Sequence, residues 1–204
     1  MIAIPVSDVP KPSLSVVIPM HDEAGNVRPL IDEIGSTLRG HIDFEIICVD
    51  DASCDATLDE LMVAARAMPE LRVVRHEYQV GQSTALRTGV KRARANWVVT
   101  LDGDGQNDPA DIVKMLVVRD EVQRNVDLLA GWRIKRRDTW MKRASSRIAN
   151  TVRRVLLRDD CPDTGCGLKL FKRDAFLDLP YFDHMHRYLP ALFKRAGWQV
   201  RHVP

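Results

Sequence analysis

Asp102-Gly103-Asp104, with Gln106 two residues further on, places two carboxylates and a neutral amide within five residues. Hard oxygen ligands at this spacing suit Mg²⁺ or Mn²⁺, and Gly103 lets backbone approach a bound group closely. Such a metal site would neutralise the charge of a diphosphate. A solvated acidic turn has the same composition. A second acidic run, Asp50-Asp51-Ala52-Ser53-Cys54-Asp55-Ala56-Thr57, is also ambiguous. Asp55 can start the following helix and Ser53 can bond a turn N–H, which leaves Asp51 as the carboxylate without a local task, able to accept from a nucleobase or ribose. A third run is Pro19-Met20-His21-Asp22-Glu23.

These runs follow short β-branched segments. Residues 14–19, 44–50, 71–76, 97–102 and 126–132 are near-continuously apolar, as strands buried on both faces are, and 199–203 is a further strand. Helical periodicity over 27–39, 56–67, 83–94 and 109–123 alternates with them. Strand and helix alternating every 25 residues or so predict an α/β fold with a doubly wound, mostly parallel sheet flanked by helices. Ligands of such sheets bind at the carboxyl edge, and all three acidic runs fall there. Carboxylates crowded along one edge repel unless a cation or a hydroxyl-rich ligand lies between them. Residues 1–13, with Pro5, Pro10 and Pro12, read as a loose lead-in, and 14–204 as a single domain.

The 204 residues, 45% hydrophobic and 28% charged, suit a globular chain, and no run of 18 apolar residues occurs. The head lacks the basic start and continuous apolar core of a signal peptide. Cys48, Cys54, Cys161 and Cys166 match neither a zinc ribbon nor a redox Cys-x-x-Cys and read as reduced cytosolic thiols. The net charge of +2 conceals an asymmetry: residues 133–158 hold ten Lys/Arg against one acid, and the remainder is net acidic. A basic patch can meet nucleic acid, anionic lipid or a phosphorylated substrate. Within it, 140–157 reads as a basic amphipathic helix with Trp140, Ala144, Ile148, Val152 and Val155 on one stripe. It would lie at a membrane surface, or pack its stripe on the sheet with its charges solvated.

The motifs are more specific together than singly. Pro19-x-His21-x-Glu23, then Val49-Asp50-Asp51-x-Ser53, Gly81-x3-Ala85-x3-Gly89, Asp102-x-Asp104-x-Gln106, Gly131-x-Arg133 and Asp163-Thr164-Gly165-Cys166-Gly167-Leu168-Lys169-Leu170-Phe171 follow in one order. That series resembles the family 2 glycosyltransferases of GT-A fold, over nearly the whole chain from Leu14. More narrowly it resembles the branch of dolichyl-phosphate mannose synthase and the bacterial polyprenyl-phosphate glycosyltransferases.

The resemblance implies a UDP- or GDP-linked sugar as donor, Mg²⁺ or Mn²⁺ as cofactor and a polyprenyl phosphate as acceptor. Pro19, His21 and Glu23 would line the base pocket, with Val49 and Asp51 completing it. Asp102 and Gly103 would meet the ribose and diphosphate. Asp104 and Gln106, together with Asp102, would hold the metal. Arg133 would bridge donor diphosphate and acceptor phosphate, and Lys142 and Ser146 match the family's acceptor-phosphate positions. The branch more often has Tyr or Phe at His21, Asn at Asp22 and Arg at Lys142, and usually continues past Pro204 into a basic segment that closes over the donor. The chain therefore reads as either a fragment or one without that lid.

A phosphate monoester acceptor is already ionised near neutral pH, so positioning and electrostatics matter more than a general base. Asp163 is the carboxylate best placed for any orienting or base role. His76, His184, His186 and His202 invite a catalytic reading, and His184-x-His186 suggests a metal pair, but neither of that pair lies at a strand tip of the acidic cluster and a surface role is favoured. The expected function is inverting, metal-dependent sugar transfer to a polyprenyl phosphate, by a peripheral protein at the cytoplasmic membrane face. Transfer to a saccharide is the alternative. A sugar-1-phosphate nucleotidyltransferase is disfavoured by the acidic His21-Asp22-Glu23 run, where a glycine-rich basic loop belongs. A nucleic-acid-binding module is disfavoured by the scarcity of aromatics in the patch.

Overall fold

The computed structural model describes residues 11–122, 126–132 and 165–203. Seven strands form one sheet: β1 (Leu14–Met20), β2 (Phe44–Asp50), β3 (Leu71–Arg75), β4 (Trp97–Thr100), β5 (Leu128–Gly131), β6 (Lys169–Lys172) and β7 (Val200–Val203). Their order is β3-β2-β1-β4-β6-β5-β7. The pairings make β6 antiparallel to both its neighbours, while the other six strands run one way. Among the described residues the helices are α1 (Val27–Leu38), α2 (Thr57–Ala67), α3 (Gln82–Arg92), α4 (Ala110–Glu121), the short α5 (Arg173–Leu177) and α6 (Leu189–Arg195), with a 3-10 turn at Met185–Tyr188 before α6.

Apolar side chains fill both faces of the sheet, which is why β1 and β2 carry no polar alternation. On one face Val16, Ile18, Ile46 and Leu170 pack with α1, α2 and α4 residues such as Ile31, Leu61 and Ile112. On the other, Val17, Ile47, Val98 and Phe171 pack with Ala85, Val90, Phe176 and Phe193. The small residues of Gly81-x3-Ala85-x3-Gly89 share one side of α3 and let it lie close to the sheet. A Cβ at Gly89 would come within 2.3 Å of Val17 Cγ1. Val49, expected in the base pocket, is fully buried beneath α3 in this layer.

The amino end of the sheet is tied by one buried carboxylate. Glu45 accepts hydrogen bonds from Ser15 Oγ (2.7 Å), the Arg94 N–H (2.7 Å), Arg72 Nη1 (2.8 Å) and Arg94 Nε (2.9 Å), linking β1, β2, β3 and the turn before β4. Burial raises its pKa, and these donors more than offset that, holding it below the usual 4.5. A carboxyl depressed in the folded state stabilises above its unfolded pKa, and that contribution fades as pH falls through the folded value. Glu45→Ala is expected to cost about 2–4 kcal/mol, because it strands the Ser15 hydroxyl and the Arg94 N–H. Urea unfolding at pH 7 measures this. The mutant's deficit should shrink as the pH drops below 4.

Candidate active site

At the carboxyl edge, β1 and β2 end in left-handed turns at Asp22 (φ 53°) and Ala52 (φ 57°). The turns bring the two tips together. His21 Nδ1 donates to the Asp51 carbonyl (2.9 Å), and Asp22 and Ser53 meet through Asp22 N–H to Ser53 Oγ (3.0 Å). The next three amides are taken in order by Thr57 Oγ1, Asp55 Oδ2 and the Glu60 carboxylate. Asp22 Oδ1 in turn accepts the Cys54 N–H (2.8 Å). The acidic tips therefore do not simply repel, because backbone amides satisfy several of their carboxylates.

Asp51 corrects one sequence expectation. It is 3% exposed and has a structural task. Oδ1 accepts from His76 Nδ1 (2.7 Å) and the Val80 N–H (3.0 Å), and Oδ2 from the Gly81 N–H (2.7 Å). Burial pushes this carboxyl up, but the three donors outweigh it and hold it below its usual 3.8. The Nε2 of His76 meets Thr88 Oγ1 of α3 at 3.0 Å, so a short relay fixes residues 76–81 to the sheet.

Asp102 follows β4, between α3 and the segment that enters β6. Gln82 Nε2 donates to its Oδ1 (2.9 Å). A Cβ on Gly167 would lie 2.2 Å from Asp102 Oδ2, so glycine is what allows the carboxylate to sit there. Gly167 is fixed in turn by its carbonyl, which accepts Thr100 Oγ1 at 2.7 Å. Because β6 runs antiparallel to β4, the residues entering β6 lie at the tip of β4, and this brings Gly165-Cys166-Gly167 to the acidic edge. Gly103 is also buried, with a Cβ there limited by the Pro19 carbonyl and Met20, each 3.1 Å away. Its role in the fold is close approach to the β1 tip. Asp104 is exposed and accepts the Gln106 N–H at 3.0 Å.

These elements enclose a cavity of about 600 Å³, ordinary for a small-ligand site. Pro19, His21, Glu23, Asp51, Asp102, Gly103 and Asp104 all line it. Val49 and Gln106 do not: the first is in the core, and the second is exposed. Arg133, Lys142, Ser146, Asp163 and the basic 140–157 segment lie outside the described residues. Sequence reading missed Gln79, Gln82, Lys169, His186 and Arg187, which line the same cavity. His186, expected at the surface, is a correction: the 3-10 turn folds it onto α3, where its Nδ1 meets Ser83 Oγ at 2.8 Å. Burial, with Lys169 and Arg187 nearby, pushes it down to about 4, so its imidazole is neutral near pH 7.

The model for glycosyl transferase family 2 matches residues 15–179. The chain belongs to this family. Among its curated relatives, a dodecaprenyl-phosphate galacturonate synthase of Rhizobium johnstonii is 34% identical over 181 residues, 87% of this chain and 53% of that protein. An undecaprenyl-phosphate 4-deoxy-4-formamido-L-arabinose transferase of Serratia proteamaculans is 30% identical over 80% of this chain and 50% of its own length. The chain thus spans about half the length of these relatives. A mannosyltransferase of Pyrobaculum calidifontis, solved with GDP-mannose and Mn²⁺, superposes with a TM-score of 0.67 at 22% identity, over 95% of this chain and 55% of the other. Glucosyl-3-phosphoglycerate synthase of Mycobacterium tuberculosis, solved with Mn²⁺ and UDP, gives 0.72 at 21% identity, over 94% and 69%. These likenesses establish the GT-A fold for the family 2 chain. Membership of this family replaces the nucleotidyltransferase and nucleic-acid-binding readings.

Proposed function

We propose that this family 2 glycosyltransferase is metal-dependent and inverting, and that it moves a sugar from a nucleotide diphosphate to a polyprenyl phosphate at the cytoplasmic face of the membrane. The observation that carries the reading is one cavity joining Glu23 and Asp51 to the Asp102-Gly103-Asp104 turn. Two relatives of 30% identity or more are named for transfer to polyprenyl phosphates. In this reading Pro19, His21, Glu23 and the segment held by Asp51 form the base and ribose side of the donor site.

Asp102 and Asp104 would hold Mg²⁺ or Mn²⁺, with Gln106 beside them. Among the described residues no three His, Cys, Asp or Glu cluster tightly enough to hold a metal alone. Two carboxylates completed by diphosphate oxygens fit Mg²⁺, which prefers few protein ligands. The bound ion would supply charge neutralisation to the leaving diphosphate. The acceptor phosphate needs no base, so the chain's own residues orient and hold the reactants. Arg133, with its planar fork, is assigned to both donor and acceptor phosphates, and Lys142 and Ser146 to the acceptor. Asp163 would orient the acceptor. Among the described residues no helix is long and apolar enough to cross a membrane. Membrane contact is assigned to the basic 140–157 segment.

Asp104→Ala tests the metal assignment. Its side chain is exposed, so the fold should survive, whereas Mn²⁺-dependent binding of UDP or GDP should weaken at least about tenfold in calorimetry. Equal donor affinity with and without metal in the parent protein would remove the metal from the account.

A further inference from the structure

The first turn of α3 orders the cavity. Gln82 holds Asp102 and the next residue, Ser83, holds His186. The 3-10 turn is therefore tied to the same turn of α3 that holds Asp102. Its lining differs in charge from the rest of the cavity. Glu23, Asp51, Asp102 and Asp104 are acidic, whereas Lys169, which opens β6 two residues after Gly167, and Arg187 are cationic. The Lys169 ammonium is buried and donates to the Cys166 carbonyl. Arg187 is exposed to the cavity and makes no ion pair among the described residues. The neighbouring acid Asp183 accepts the His184 N–H through Oδ1 and lies 3.5 Å from His184 Nε2, and the same Oδ1 is 3.8 Å from where a Cβ on cavity-lining Gly81 would stand.

His186 completes this wall. Its backbone N–H and Nδ1 both engage Ser83 Oγ, at 3.4 and 2.8 Å. The hydroxyl can donate to Nδ1 while it accepts the amide, and in that tautomer of the neutral ring the proton resides on Nε2, which makes no hydrogen bond among the described residues. One fork-shaped cation, one buried ammonium and one neutral N–H donor on a cavity wall are a set suited to a carboxylate.

We propose that Arg187, His186 and Lys169 form an anion subsite that takes the carboxylate of the transferred sugar, making the donor a nucleotide-linked uronic acid. The inference rests on the donor site proposed above: with base and ribose toward Glu23 and Asp51 and the diphosphate at Asp102, the sugar is the part that reaches the 3-10 turn. The acceptor phosphate, the other anion in the reaction, is already assigned to Arg133, Lys142 and Ser146.

The test is calorimetry on the full-length protein with Mn²⁺, using UDP, GDP, UDP-glucose, UDP-glucuronate, UDP-galactose, UDP-galacturonate, GDP-mannose and GDP-mannuronate. Within one nucleotide series, a uronate should bind at least about tenfold tighter than its neutral counterpart, in line with a charge-assisted bidentate contact. Arg187→Ala should reduce the uronate to the affinity of the neutral sugar, and Arg187→Lys should restore part of the difference. Equal binding of uronate and neutral sugar, while the free diphosphate binds well, overturns the subsite and leaves the donor reading standing. If neither UDP nor GDP binds, the donor reading itself fails. If Arg187→Ala weakens UDP or GDP as much as the uronate, the arginine serves the diphosphate. If it raises only the KM for polyprenyl phosphate, it serves the acceptor. Either of these last two results overturns the assignment to the sugar.

Discussion

Gly167→Ala is expected to cost this chain at least about 100-fold in metal-dependent donor binding, the scale on which misplacing a reacting group by 1 Å is felt. The added methyl would sit 2.2, 2.4 and 2.6 Å from Asp102 Oδ2, Cγ and Oδ1. These are not contacts that a flexible tip can relieve. Asp102 is held on its other side by Gln82, and Gly167 is held by Thr100 through its carbonyl. One of the two must move, and the exposed carboxylate turn is easier to displace than a β4 to β6 junction. The mutant should therefore keep its far-ultraviolet circular dichroism and lose Mn²⁺-dependent affinity for UDP or GDP. Parental affinity would mean that Asp102 does not hold the donor or its metal.

Asp51→Ala should produce the second large effect, felt in both stability and binding. Loss of the carboxylate leaves the Val80 and Gly81 amides without an acceptor and His76 without its partner, at a cost of about 1–3 kcal/mol. Residues 76–81 then come away from the sheet, taking Gln79 and Gln82 out of position along the cavity. Affinity for the free nucleoside diphosphate should fall at least about tenfold, and Asp51→Asn, which accepts through one oxygen only, should lie between mutant and parent. Because the folded Asp51 carboxyl is depressed, its contribution is complete above about pH 4 and fades as pH falls through its folded pKa. The gap in thermal midpoint between parent and mutant should accordingly narrow toward pH 3. Unchanged diphosphate affinity in Asp51→Ala would uncouple this loop from the donor site.

The strands and helices of the first 120 residues were legible because the sheet is buried on both faces. Residues 44–50 form a strand as expected, and β1, β3 and α1 to α4 fall within two residues of expectation at every end. The strand expected at 97–102 stops at Thr100, because Leu101 and Asp102 turn toward the cavity. The strand β6 was not legible: Lys-Leu-Phe-Lys is four residues long with a charge at each end, and it is a strand only because β4 and β5 flank it. Much of the site rests on contacts between distant residues. Asp51 looked idle because its partners lie 25 to 30 residues on, and Gly167 meets Asp102 across the sheet. His186 looked superficial because only the 3-10 turn after residue 184 folds it against Ser83, more than a hundred residues earlier. By contrast the Asp-x-Asp turn was readable, since a strand-tip motif needs only its neighbours to declare itself.

The most direct measurement is sugar transfer itself. The full-length protein would be incubated with polyprenyl phosphate, Mn²⁺ and radiolabelled nucleotide sugars, and the organic phase counted. The account predicts label in an acid-labile, organic-extractable lipid phosphate for at least one donor, with an inverted anomeric centre. It also predicts that the label is lost on chelation and in Asp104→Ala, and is much reduced in Arg133→Ala and Lys142→Ala when donor binding is not. Label that stays entirely in the aqueous phase with every donor, from a protein that binds UDP or GDP, would contradict it.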